Sequence, residues 1–184
     1  MRLLMLAPPG AGKGTQASRL AGRFGIPHLA SGELLRAELA AGTPTGLAAR
    51  EYVDRGDLAP DELVSAMMER RIAGEQHGYV LDGFPRNVAQ AEKVSRAGIG
   101  LDAVILLEVR RPELLRRLLA RGEGRSDDQA MTIRHRLDVY DGDTAPLVAY
   151  YRDRGLLVTI DGEQSVDEVA REILDKLAAV VPGG

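Results

Sequence analysis

The residues with the clearest chemistry lie near the start of the chain. "APPGAGKGT", Ala7 to Thr15, follows the apolar run "RLLMLA" and precedes a stretch of helical spacing. Gly10, Gly12 and Gly14 allow a backbone to approach an anion closely, and Ala11 sits between them. A helix opening near Gly12 aims its N-terminal dipole and free N–H groups at the same point. Lys13 supplies an ammonium able to reach a transferred phosphate, and the Thr15 hydroxyl suits Mg²⁺. The usual phosphate loop opens on glycine and ends in Gly-Lys-Ser/Thr. Here Ala7 takes the opening position and Gly14 separates Lys13 from Thr15. Pro8 pushes Ala7 toward extended backbone, which alanine adopts freely, so the loop is predicted to form. Asp82 ends the apolar stretch "YVL", where a P-loop fold keeps its Mg²⁺-associated carboxylate. Lysine occurs only at positions 13, 93 and 176, in a chain otherwise rich in arginine. A lysine inside the glycine-rich loop is therefore no part of a general lysine background.

Elements must hold this loop in place, and the pattern supplies them. "RLLMLA" ends at Pro-Pro-Gly and reads as a buried strand. Ala17, Leu20, Ala21 and Phe24 give the next helix its apolar face, and Gly25 stops it. "IPHLA" is a brief strand. "SGELLRAELAAG" is a helix with Ser31 as candidate N-cap, "TPTG" a break, and Leu47 to Arg55 a short helix. Pro60, Asp61 and Glu62 open another helix, with Leu63, Val64, Met67 and Met68 on its apolar side. "GYVLDGFPR" is strand then loop, followed by a helix from Val88 to Ala97. "DAVILLEV" is apolar on both faces, as a central parallel strand requires. Glu113 to Arg121 is helical and "GEGRSDD" a polar loop. Gln129 to Arg154 is one long helix, with a bend expected near Asp141 and Gly142. "LLVTI" is the last strand, and Ser165 with Glu168 forms a capping box for the final helix. Strands alternating with helices predict a parallel α/β sheet covered on both faces, its ligands beyond the carboxyl ends of the strands.

Composition narrows the function classes. The chain has 184 residues, 45% apolar and 28% charged, with a net charge of −3. This fits one domain with a sizeable core and gives no global reason to bind nucleic acid. Without cysteine there are no disulfides and no thiolate metal sites, so no zinc is expected. His28, His77 and His135 show no metal-ligand spacing and read as surface or satisfied core residues. "RLLMLA" is too short for a signal peptide or a membrane span; a cytoplasmic location and no membrane partner are the expectation.

Five stretches in order, "PPGAGKGTQ", "SGELLR", "DGFPR", "RSDDQ…IRHRL" and "TAPLVAYY", resemble the adenylate kinases, in the short-lid form of the nucleoside monophosphate kinase family. The likeness runs from Met1 to about Leu177. It implies a P-loop NTPase-type parallel five-stranded sheet with helices on both faces. The implied core is 1–29, 60–121 and 137–184, with a small helical AMP-binding insert at 30–59 and a short lid at 122–136. The implied reaction is Mg²⁺-dependent transfer from ATP to AMP giving two ADP, in a monomer whose partners are these nucleotides.

Site residues follow from the same resemblance. Gly10 to Thr15 wrap the ATP phosphates, and Arg117, Arg121 and Gln164 lie toward the ATP base. Arg36 and Arg86 hold the AMP phosphate. Arg121 and Arg125 flank the ATP phosphates from the lid side, with Asp127 and Asp128 beside Arg125. Arg136 bridges toward the AMP phosphate and the transferred group; Arg134 lies beside the same motif without a fixed role. Arg125 and Arg136 thus also belong to the AMP side. Ser31, Asp57, Leu58, Ala59, Gly83, Phe84, Pro85 and Gln90 line the acceptor, and Thr15 with Asp82 accompanies Mg²⁺, partly through water. Lys13, Arg86, Arg121, Arg125 and Arg136 are the expected catalytic set. Guanidiniums suit this work because they are planar and always charged. Ser31 stands where adenylate kinases usually carry threonine and UMP/CMP kinases typically alanine. The Gln90 amide offers a donor and an acceptor side by side, as an adenine edge requires. The alternatives at this stage are a UMP/CMP kinase and a nucleotide-binding protein without catalysis. A GTPase-like switch lacks its Asn-Lys-x-Asp motif here.

Overall fold

The computed structural model describes residues 1–55, 57–121 and 130–181. Five parallel strands form one sheet: β1 (Arg2–Leu6), β2 (His28–Ala30), β3 (Tyr79–Asp82), β4 (Ala103–Glu108) and β5 (Leu157–Asp161), in the order β2-β3-β1-β4-β5. The nine α-helices among the described residues are α1 (Lys13–Phe24), α2 (Ser31–Ala40), α3 (Pro44–Arg55), α4 (Asp61–Ile72), α5 (Val88–Arg96), α6 (Arg111–Arg121), α7 (Ala130–Val139), α8 (Pro146–Arg152) and α9 (Val166–Val180). None among the described residues is long and apolar enough to cross a membrane.

Period-two alternation along the strands sorts the core into two layers. Leu3, Met5, Ile105 and Leu107 face a cluster built with α1, α6, α7 and α9. Leu4, Leu6, Val104 and Leu106 face the opposite cluster, built with α2, α3, α4, α5 and α8. Both faces of β1 and β4 are thus buried, which is why these strands read as unbroken apolar runs. The two-sided helical cover agrees with the sequence, as do the Ser165–Glu168 capping box and the helix start at Pro60.

Three local readings change. Ser31 is not an N-cap: β2 extends to Ala30, which caps α2 without a side-chain bond, and Ser31 is the first helical residue. Its hydroxyl instead donates to the Gly83 carbonyl at 2.6 Å. The break expected at "TPTG" is shorter, since Pro44 opens α3; proline at the first helical position gives up only an N–H that has no partner there. The long helix is not continuous. Tyr140 to Thr144 form a π-helical turn between α7 and α8. Pro146 cannot donate to the preceding turn and its ring crowds it, so the chain takes the wider spacing, with the Ala145 N–H donating to the Tyr140 carbonyl at 2.9 Å. This turn includes Asp141 and Gly142, where the sequence predicts a bend.

Candidate active site

Sheet register sets the site. Met5 and Ala30 are both paired with Asp82, so the ends of β1, β2 and β3 lie in one row. The loop after β1, the start of α2 and the loop after β3 therefore open onto a single cleft of about 580 Å³ at the carboxyl edge of the sheet. This is the crevice where open α/β sheets bind ligands.

At one end lies the glycine-rich loop. Gly12 caps α1 with φ +89°, a left-handed conformation that glycine adopts without Cβ strain, and it has no side chain to satisfy the first-turn N–H groups. The α1 N-terminus is thereby kept open for an anion. Ala7 is buried against this loop, and among the described residues only glycines have positive φ. Alanine at the opening position therefore needs no left-handed backbone. Lys13 Nζ donates to the Ala7 carbonyl at 3.3 Å and lies 3.6 Å from Asp82 Oδ1. His28 Nε2 approaches Asp82 Oδ2 at 3.4 Å, while its Nδ1 is 3.2 Å from the Ser18 hydroxyl. Burial alone would push the Asp82 carboxyl up, but the Lys13 charge and the His28 hydrogen bond outweigh it and hold it below the usual carboxylate range.

Thr15 lines the cleft beside Gly14, whose position lies 3.6 Å from Asp82 Oδ2 when a Cβ is built there. One hydroxyl and one ionised carboxylate are hard oxygen donors. They suit Mg²⁺, which takes its remaining ligands from water and substrate phosphates rather than from a protein cage.

The other end is bounded by Ser31, Arg36, Asp57, Leu58, Ala59, Gly83, Pro85 and Arg86. Gly83 has φ +75°, and a Cβ there would lie 2.7 Å from Ser31 Oγ. Arg86 is 9% exposed; its Nε donates to the Gly83 carbonyl at 3.1 Å, while its buried Nη1 has no partner among the described residues. Burial lowers its pKa to about 10, against the charge of Asp61, so it is cationic at neutral pH. A largely buried guanidinium that lines a cleft and has an unused N–H is suited to an anionic ligand. Arg36 and Arg136 also line the cleft.

Other expected residues fall elsewhere. Ala11, Phe84 and Gln90 are buried and do not line the cleft. The Gln90 amide is committed within the protein, accepting from the Arg86 N–H at 2.8 Å and donating to Asp61 at 2.7 Å. Arg117 lies outside this cleft but against the β5–α9 turn, donating to the Gly162 carbonyl at 2.9 Å and to Glu113 at 2.7 Å; Gln164 in that turn donates to Glu172 at 2.6 Å. Arg134 is exposed and does not line the cleft. Arg125, Asp127, Asp128 and the Arg121 side chain lie outside the described residues.

Sequence reasoning passed over His135, which bonds Asp57 at the cleft wall at 2.5 Å, and over Val53, Val139, Tyr140 and Thr144 in the lining. No spacing signal marks these positions, because they come from separate elements.

A profile of the adenylate kinase family matches residues 5–156. An adenylate kinase from Xanthomonas campestris pv. campestris (strain 8004) is 49% identical over 181 residues, covering 94% of this chain and 97% of its own length. One from Xanthomonas oryzae pv. oryzae (strain MAFF 311018) matches to the same extent. One from Kocuria rhizophila is 46% identical over 184 residues, covering 96% and 98%. With a glycine-rich loop at one end of the cleft, arginines that include the buried Arg86 at the other, and this likeness along nearly its whole length, the chain belongs to the adenylate kinase family.

Proposed function

We propose that the chain moves the terminal phosphoryl group of ATP directly onto AMP, giving two ADP, inside the cleft between the glycine-rich loop and Arg86. The observation that carries this is the convergence of Lys13, Arg36, Arg86 and Arg136 on one cleft long enough to reach from the α1 N-terminus to Leu58 and Ala59. ATP binds with its phosphates on the Gly10–Thr15 amides, and AMP binds with its phosphate toward Arg36 and Arg86. The two reacting phosphates then meet end to end.

Charge develops on the oxygens of the migrating group, so positioned cations do most of the catalytic work. Lys13 follows the transferred group, Arg136 bridges it to the AMP phosphate, and Arg121 and Arg125 complete the catalytic set. Thr15 and Asp82 would hold Mg²⁺, partly through water, and the ion would neutralise charge on the ATP phosphates. No general base is required, because the attacking AMP oxygen is already ionised near neutral pH. Transfer is in line, without a covalent enzyme intermediate. Movement of α2 and α3 over the core excludes water and so prevents ATP hydrolysis. Arg117 and the segment around Gln164 accept the ATP base, Ser31 favours adenine on the acceptor side while the Gln90 amide holds the Arg86 segment, and the enzyme acts as a cytoplasmic monomer.

An acceptor panel tests the assignment. With ATP and Mg²⁺, AMP should give the highest kcat/KM among AMP, CMP, UMP and GMP, and chelating the metal should stop turnover. Equal or faster reaction with CMP or UMP would refute it.

A further inference from the structure

We propose that Asp61 is a positioning residue for the acceptor: it clamps the Arg86–Gln90 segment so that the Arg86 guanidinium is presented to the cleft. This rests on the reading of the cleft as an AMP site. Asp61 is the first residue of α4 and does not itself line the cleft. Its Oδ2 accepts from Asn87 Nδ2 at 2.7 Å, and its Oδ1 accepts from Gln90 Nε2 at 2.7 Å. Gln90 Oε1 in turn accepts the Arg86 backbone N–H at 2.8 Å, and Asn87 Oδ1 accepts the Gln90 N–H at 2.9 Å as the cap of α5.

The network has one consistent arrangement. Both carboxylate oxygens receive N–H groups, which fixes the orientation of two neighbouring amides. A glutamine amide can flip by exchanging its oxygen and nitrogen. Here a flip would turn an NH₂ toward the Arg86 N–H and an oxygen toward Asp61, so donor would face donor and acceptor would face acceptor. An asparagine at position 61 breaks this logic without changing shape. It offers one acceptor and one donor where two acceptors are needed, so a largely buried N–H loses its partner whichever way the amides turn. The strain falls on the segment that holds Arg86. The negative charge of Asp61 also supports the buried Arg86 cation, and asparagine removes that support as well.

The experiment is steady-state kinetics of wild type, Asp61→Asn and Asp61→Glu, varying each nucleotide in turn, with the melting temperature shift caused by AMP alone and by ATP alone. Asp61→Asn should raise the KM for AMP about tenfold and abolish the AMP-induced shift, while the KM and shift for ATP stay within twofold. Asp61→Glu keeps both acceptors and should recover most of the AMP affinity, with a residual rise of about threefold confined to AMP. It carries the test alone should Asp61→Asn not fold. An unchanged KM for AMP, or a rise shared equally by both nucleotides, overturns the proposal. If wild type itself makes no ADP from ATP and AMP, the functional reading fails; if it does while both variants leave AMP binding unmoved, only the role of Asp61 fails.

Discussion

The two ends of the cleft are built in different ways. The donor end is nearly one continuous segment, in which Ala7 to Thr15 supply backbone N–H groups, one lysine and one hydroxyl, and Lys13 bonds back to a carbonyl six residues away. The acceptor end is assembled from distant parts. Ser31 meets Gly83 across 52 residues, Gln90 meets Asp61 across 29, and His135 meets Asp57 across 78. Binding by local backbone depends on helix geometry and tolerates side-chain change, as Ala7 illustrates. Binding by side chains held in a long-range network depends on each partner.

The contrast predicts a graded set of effects. The largest is at the one donor-end position where a side chain carries charge. Lys13→Met should lower kcat by about a thousandfold, a barrier increase of ~4 kcal/mol, with an unchanged far-ultraviolet spectrum and melting temperature; near-normal turnover would remove the loop from the mechanism. Next is the acceptor-end turn. Gly83→Ala forces a left-handed alanine, a cost of about 1–2 kcal/mol, and adds a Cβ against Ser31 Oγ. Urea unfolding should report at least that loss, together with weaker AMP binding; wild-type stability would mean that the turn relaxes freely.

Smaller still is the acid response at the junction of the two ends, because burial of Asp82 opposes the pull of Lys13 and His28. The folded chain holds this carboxyl below its unfolded range. Its contribution is therefore complete above the unfolded aspartate pKa of about 4 and is lost as the pH falls through the lower folded value. Between pH 5 and pH 3, Asp82→Asn should lose less unfolding free energy than wild type; parallel losses would show that Asp82 is not the group responsible. The smallest effect belongs to Ala7→Gly, which should leave kcat/KM within about twofold, since the native backbone there already suits alanine. A tenfold gain, ~1.4 kcal/mol, would instead reveal crowding by the Ala7 methyl.

The same contrast explains what the sequence made legible. Helices, strands and the donor loop are short-range patterns, so Gly12, Lys13, Thr15 and the strand ending at Asp82 could be read from spacing. The capping box at Ser165 was legible for the same reason. The hydroxyl of Ser31 was misread as a cap because its real partner, the Gly83 carbonyl, is a neighbour only through the pairing of β2 with β3. Asp61 carried a strong helix-start signal that concealed its second task, and Gln90 announced a pair of hydrogen-bonding groups without naming their partners. His135 carried no signal at all, since its bond to Asp57 depends on where α7 lies against the end of α3.

The central claim is that both ends act on one pair of nucleotides joined through their phosphates. A compound of two adenosines linked by five phosphates spans both ends at once. In a thermal melt with Mg²⁺, it should raise the melting temperature far more than ATP at the same concentration, because one ligand then gains both sets of contacts. A shift no larger than that of ATP alone would contradict the account.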